Sequence, residues 1–202
     1  MSHHPVPHVL VLAAGAARRF GTPKQLARLG GEPLLLRAVT HATEVAGHAV
    51  SVVLGANAAD IAPLLRNSPA SVVVNRQWEE GIASSLRAGV AQLPGSTGAV
   101  LVMLADQVAI TAFDLRRLIA AWQQQPELLV AATYDGEAGV PAIFPAHSFQ
   151  ALLELRGDVG ARRVLRRMAD RCIRIAMAHA SVDVDTAEDL ARLEGAASAA
   201  EA

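Results

Sequence analysis

Leu12-Ala13-Ala14-Gly15-Ala16-Ala17-Arg18-Arg19-Phe20-Gly21-Thr22-Pro23-Lys24 follows directly on the apolar run Val9-Leu10-Val11. An uninterrupted apolar run of this length, ended by small residues and a glycine, predicts a strand buried on both faces. The small side chains from Ala13 to Ala17 let a ligand approach the backbone, whose N–H groups can then cradle phosphate oxygens. Lys24 is the only lysine among 18 basic residues, the other 17 being arginine. A compact ammonium on a flexible stem reaches a single phosphate oxygen in a tight loop, where the planar guanidinium fork does not fit. A plain strand-to-helix turn would explain the small residues, but not Arg19 and Lys24. The P-loop spacing is absent. Of a dinucleotide-binding G-x-G-x-x-G only Gly15 is present, with Ala17 and Phe20 standing where the further glycines would be.

Outward from this stretch, short apolar runs alternate with amphipathic segments. Strands are predicted at residues 9–12, 49–54, 71–74, 99–104, 128–133, 140–144 and 172–176. Helices are predicted from Pro33 to near Gly47 and at 57–65, 82–92, 111–124, 148–155, 161–169 and 186–193. Thr111 with Asp114, and Thr186 with Asp189, have the spacing of helix caps. This alternation implies right-handed βαβ units and a Rossmann-like three-layer α/β/α architecture with a mainly parallel sheet. Ligands bind such sheets beyond the C-terminal strand ends, where the loop from Gly15 to Lys24, Asn75 and Asp106 all fall. One domain is expected over residues 9–194, with a disordered or tag-like head at 1–8 and a frayed tail at 195–202.

Composition narrows the classes. The 202 residues are 52% hydrophobic and 18% charged, which suits one compact core. A net charge of −1 gives no global attraction to nucleic acid or an anionic membrane. The single cysteine, Cys172, excludes an internal disulfide and a cysteine zinc site. No charged leader with an apolar run and no stretch of transmembrane length is read, so a cytoplasmic protein is expected. The scattered histidines suggest no metal site.

Three further constellations carry chemistry. Asp106 closes a buried strand, five residues too early to cap the helix at Thr111, and suits Mg2+, which takes oxygen ligands and bridges to phosphates. Asp183 and Asp185 flank Val184, so both carboxylates share one face of an extended segment and repel unless a cation or solvent intervenes. In Asn75-Arg-Gln-Trp78-Glu-Glu-Gly81-Ile-Ala-Ser84-Ser85, the two serines can donate to phosphate or pterin and Asn75 can read a base edge. The same residues equally suit a Trp packed on the sheet and a tight helix contact.

Leu-Ala-Ala-Gly-x-x-x-Arg-Phe-Gly-x-x-Lys resembles the signature of nucleotidyltransferases related to the molybdenum cofactor guanylyl- and cytidylyltransferases. Leu104-Ala-Asp106-Gln resembles a family strand ending in Asp-Gln-Pro, with Val108 in place of the proline. Asp183-Val-Asp185-Thr-Ala-Glu-Asp189-Leu resembles the cytidylyltransferase ending Asp-Ile-Asp-Thr-Pro-Glu-Asp-Leu, with Ala187 in place of proline. The Asn75–Leu86 segment, Gly139-Val-Pro141-Ala-Ile-Phe144 and Gly157-Asp-Val-Gly160-Ala161-Arg162 also match in order. The resemblance implies a nucleotidyltransferase fold in which Arg19 and Lys24 are catalytic. Leu12, Ala13, Ala14, Gly15, Asn75, Ser84 and Ser85 would join them around the nucleotide. Gly139, Pro141, Gly157 and Arg162 would line the acceptor site, and Asp106, Asp183 and Asp185 would hold Mg2+.

The expected reaction is transfer of CMP from CTP to the terminal phosphate of a molybdopterin-type acceptor, with release of pyrophosphate. The resemblance implies a molybdenum hydroxylase or its chaperone as the recipient. Ala14, at a position that is glycine in the guanylyl branch, favours CTP over the bulkier GTP. Alternatives are another phosphorylated acceptor, GTP as donor, and a non-catalytic carrier of the cofactor. A dinucleotide-dependent oxidoreductase is disfavoured by the missing glycines.

Overall fold

The computed structural model describes residues 6–200, and the side chains of residues 6–195. In chain order the elements are β1 (His8–Ala13), β2 (Arg28–Leu29), β3 (Glu32–Pro33), α1 (Leu34–Ala46), β4 (Val50–Leu54), α2 (Ala58–Ile61) and β5 (Ser71–Val74). There follow α3 (Ile82–Ala91), β6 (Ala99–Leu104), α4 (Ala112–Gln124), β7 (Leu129–Tyr134) and β8 (Glu137–Pro145). The chain ends with α5 (Phe149–Leu153), α6 (Arg162–Arg167), β9 (Cys172–Ala176) and α7 (Ala187–Ala200).

Seven strands form one sheet in the order β5-β4-β1-β6-β8-β7-β9. All neighbours are parallel except where β8 runs against β6 and β7. Val9, Leu10 and Val11 are fully buried, and each such side chain stabilises the fold by about 1.5–3 kcal/mol. They alternate between two cores. Val9 and Val11 face α1 and α4 through Leu35, Val39, Leu115 and Leu118. Leu10 and Leu12 face α3, α5 and α6 through Leu86, Val90, Leu152 and Leu165. This is the expected three-layer arrangement. From β1 the chain builds outward through β4 to β5, then crosses to β6 on β1's other side. The order therefore reverses between β1 and β6, the point at which open α/β sheets bind ligands.

Several boundaries differ from expectation. His8 belongs to β1, its ring Nε2 lying 2.9 Å from Ser51 Oγ, so the ordered chain begins before residue 9. Residues 1–5 and 201–202 lie outside the described residues. The backbone of residues 195–200, set aside above as a tail, continues α7. The helix expected at 57–65 is a short α-helix followed by a 3₁₀ turn, Ala62–Leu65, with Pro63 in its first turn. The small hairpin β2–β3 was not anticipated, because two-residue strands are too short for periodicity to register.

Candidate active site

One side chain ties the start of the loop after β1 to its far end. Gln25, buried in the 3₁₀ turn Lys24–Leu26, donates through Nε2 to the carbonyls of Ala13 at 2.8 Å and Gly15 at 3.0 Å. Among the described residues, the N–H groups of Gly15, Ala16 and Ala17 have no protein acceptor, which leaves them free for an anion. At the loop's base, the Leu12 carbonyl accepts from Ala105 N and the Ala14 carbonyl from Ala56 N, tying it to the ends of β6 and β4. Gly55 is required here. A Cβ at that position would lie 2.5 Å from Trp78 Cβ and 2.7 Å from the Ala14 carbonyl.

Lys24 reaches from this loop into the gap beside β6. Its Nζ donates to Asp106 Oδ2 at 2.5 Å, to Asp185 Oδ1 at 3.3 Å and to the Val184 carbonyl at 3.3 Å. Arg19 Nη2 holds the other Asp185 oxygen at 2.8 Å. Burial pushes the Lys24 ammonium towards deprotonation, but its pairing with Asp106 and Asp185 outweighs this and raises its pKa, so it stays charged. Asp185 arrives from far along the chain because Val184 N donates to the Asp106 carbonyl at 3.2 Å. Val184 itself is fully buried and packs with Leu34 and Val108. The valine that replaces the resembled family's proline thus contributes an apolar contact beneath the site.

Gln107 fastens the same segment, donating to the carbonyls of Val140 and Ala180, both at 2.8 Å. The Asp183 carboxyl is pushed up to about 7, first by desolvation and then by the charges of Asp106 and Asp185; Lys24 and Arg162 pull the other way. Asp183 is exposed, however, so water screens these interactions and the upward push is weaker than burial alone would give.

The loop, Lys24 and its carboxylates border a cleft of about 650 Å³ lined by residues 12–19, Lys24, Gln25, Asp106 and Asp185. Trp78, Glu80, Gly81, Ser85 and Asp158 also line it. The volume lies within the roughly 300–1,000 Å³ of small-molecule sites. All of Leu12, Ala13, Ala14, Gly15, Arg19, Lys24, Ser85, Asp106 and Asp185 from the sequence reading border it. Arg18, read above as part of the loop without a role of its own, borders it too.

Asn75 and Ser84 do not border the cleft. Asn75 Nδ2 donates to Ser84 Oγ at 2.8 Å and to Ser85 Oγ at 3.1 Å, while Ser84 donates to the Gly81 carbonyl at 2.8 Å. They form a buried brace that fixes the start of α3, the second of the two uses read from the sequence. Gly139, Pro141, Gly157, Arg162 and Asp183 also fall outside the cleft lining. Gly139 lies under Tyr134. The Arg162 guanidinium stands over the Tyr134 ring at 5.6 Å and near Glu137.

Sequence reading missed Gln25, Glu80 and Asp158. The signal for Glu80 was its spacing to Arg87, one helical stretch away. Arg87 pairs with both Glu80 oxygens, at 2.9 and 2.5 Å, and Glu80 also accepts from Gly157 N.

Among the described residues, no group of three or more His, Cys, Asp or Glu side chains is arranged to hold a metal ion. Of the expected triad Asp106, Asp183 and Asp185, the first and last are joined here through Lys24, whose Nζ donates to both. The remaining donors still fit a hard cation. Asp106 Oδ1 is buried with no hydrogen-bond partner, and Mg2+ usually takes only one or two carboxylates, with phosphates and water completing its shell.

A family model described as MobA-like NTP transferase domain matches residues 9–172. The chain belongs to this family. A curated relative, nicotine blue oxidoreductase of Paenarthrobacter nicotinovorans, is 32% identical over 195 residues, covering 91% of this chain and 94% of that protein. Among solved structures, the Rv0371c homologue of Mycobacterium sp. strain JC1 is 30% identical with a TM-score of 0.80, over 95% of this chain and 96% of that one. The structure of Mycobacterium tuberculosis H37Rv Rv0371c in complex with manganese shares the fold, at 24% identity and a TM-score of 0.76, over 95% and 100% of the two chains. As a MobA-like NTP transferase, the chain is a nucleotidyltransferase. Among its described residues no helix is long and apolar enough to cross a membrane.

Proposed function

We propose that the chain transfers CMP from CTP to the terminal phosphate of a molybdopterin-type acceptor, releasing pyrophosphate. The observation that carries this reading is the convergence of Lys24, Arg19, Asp106 and Asp185 at the reversal point between β1 and β6. The free N–H groups of Gly15, Ala16 and Ala17 receive phosphate oxygens beside them. An oxygen of the acceptor phosphate attacks the α-phosphorus; the bond from that phosphorus to the bridging oxygen breaks, and pyrophosphate leaves with the electron pair. No protein nucleophile is needed, so the chain contributes positioning and charge. Arg19 and Lys24 balance the charge that builds on the α-phosphate oxygens and the leaving group. Asp106 and Asp185, with Asp183 beside them, are the residues that would hold Mg2+, which when bound neutralises the phosphates and helps to orient them. The manganese complex of the structural neighbour supports a divalent ion in this fold.

Preference for CTP rests on Ala14, whose side chain lies on the cleft and against Gly55. One methyl group supports discrimination of about 1–3 kcal/mol, a preference rather than a barrier. CTP labelled in its α-phosphate tests the reaction: label is expected in a larger product containing the acceptor. Label that stays in CTP at every acceptor concentration contradicts the reading.

The relative named nicotine blue oxidoreductase favours a second reading, reduction of a small molecule. Against it stands the single glycine of the dinucleotide fingerprint in the loop after β1. Titration with NADH and NADPH separates the two. Saturable binding of either, with no binding of CTP, favours the second.

A further inference from the structure

Lys24 stands where a divalent cation shared by Asp106 and Asp185 would have to stand. Three oxygens surround its Nζ, on Asp106, Asp185 and Val184, and an ammonium has three protons to give. Arg19 holds the remaining oxygen of Asp185. Of the four carboxylate oxygens of Asp106 and Asp185, only Asp106 Oδ1 is left, and it is buried without a partner. A divalent ion arriving at that oxygen would meet the Lys24 charge within a few ångströms. At such separations, like charges at a partly buried site repel by several kcal/mol.

Lys24 also has somewhere else to go. Its stem is flexible, and it shares a loop with the unbonded N–H groups of Gly15, Ala16 and Ala17. A triphosphate seated on those groups would offer the ammonium new oxygens and release both carboxylates. No other lysine is available to replace it, since the chain has none.

We propose that Lys24 fills the cation position in the bare protein and leaves it when nucleotide phosphates take over its charge. The divalent metal then enters with the nucleotide or after it, not before. The nucleotide half of this proposal rests on the nucleotidyl-transfer reading; the bare-protein half does not.

Mn2+ binding, followed by loss of the free-ion electron paramagnetic resonance signal, tests it without any turnover. Four samples are needed: wild type, Lys24→Met, Lys24→Met with Asp106→Asn, and wild type with CTP measured against CTP alone. Without nucleotide, Lys24→Met is expected to bind Mn2+ about tenfold more tightly than wild type, or better. The added Asp106→Asn change is expected to abolish that gain. Wild type with CTP is expected to take up more Mn2+ than CTP alone. Equal affinity of bare wild type and Lys24→Met overturns the proposal, as does a gain that survives Asp106→Asn. Should Lys24→Met not fold, tight Mn2+ binding by bare wild type still overturns it. Failure of CTP to bind at all overturns the nucleotide half and the reading beneath it, while the bare-protein comparison still decides the place of Lys24.

Discussion

At the scale of single residues, the two duties proposed for Lys24 separate by experiment. Lys24→Ala is expected to lower turnover by about a hundred- to a thousandfold, the range for losing one positioned charge at a developing oxyanion. Circular dichroism should show the fold intact, and a near-normal rate would remove Lys24 from the chemistry. Gln25→Ala releases the start of the loop after β1 from its far end. It is expected to raise the KM for nucleotide several-fold while changing kcat less, because it loosens the phosphate cradle and not the cation beside it. Lys24 was legible in the sequence, as a lone lysine among arginines. Gln25 was not, since a buried glutamine that bonds its own loop has no pattern distinguishing it from a surface one. Asp106 was legible as a carboxylate closing a buried strand, and Asp185 as one of an alternating pair on an extended segment. Their pairing with Lys24 instead of with one another was hidden, because it depends on how Val184 docks on Asp106.

At the scale of elements, the start of α3 packs against the turn at Gly157–Asp158 on the cleft. Gly81 has a φ of +111°, and a Cβ there would lie 2.6 Å from the Gly157 carbonyl. Gly81→Ala is expected to cost about 1–3 kcal/mol of stability, measured by thermal unfolding. It should also reduce activity, because the displaced segment carries Asp158 into the cleft. The cap of α4 gives a pH test. Burial pushes the Asp114 carboxyl up, but hydrogen bonds from Thr111 and His179 outweigh it and hold its pKa below the ordinary value. Thr111, His179 at 3.0 Å and Arg117 at 3.9 Å are the groups facing it. A depressed folded pKa contributes stability above the unfolded value near 3.8, and that stability is lost as pH falls through the lower folded value. Wild type is therefore expected to lose more stability than Asp114→Asn on acidification below about pH 4. Parallel losses would show that the cap does not titrate as described. Both caps were readable from Thr and Asp three residues apart, since capping is local chemistry. The direction of β8 was partly readable: Asp135-Gly136, both at positive φ, is a tight hairpin pair between β7 and β8. The strands expected at 128–133 and 140–144 were set without weighing this pair, so the antiparallel pairing was not anticipated.

At the scale of the whole molecule, the layered, mainly parallel architecture follows from the alternation of buried runs and amphipathic helices, and with it a crevice at the strand ends; the strand order does not. Local patterns could not say which of the motif residues face that cleft. Asn75 and Ser84 turn inward to each other, and Arg162 stands by Tyr134, because tertiary packing decides orientation after the backbone path is set. Substrate choice belongs to this scale too, since it depends on donor and acceptor together. The most direct measurement is pyrophosphate release from CTP and from GTP, each with Mg2+, with and without molybdenum cofactor. Release that requires the cofactor and is faster from CTP is the expected result. No release from either nucleotide in the presence of the cofactor would contradict the account.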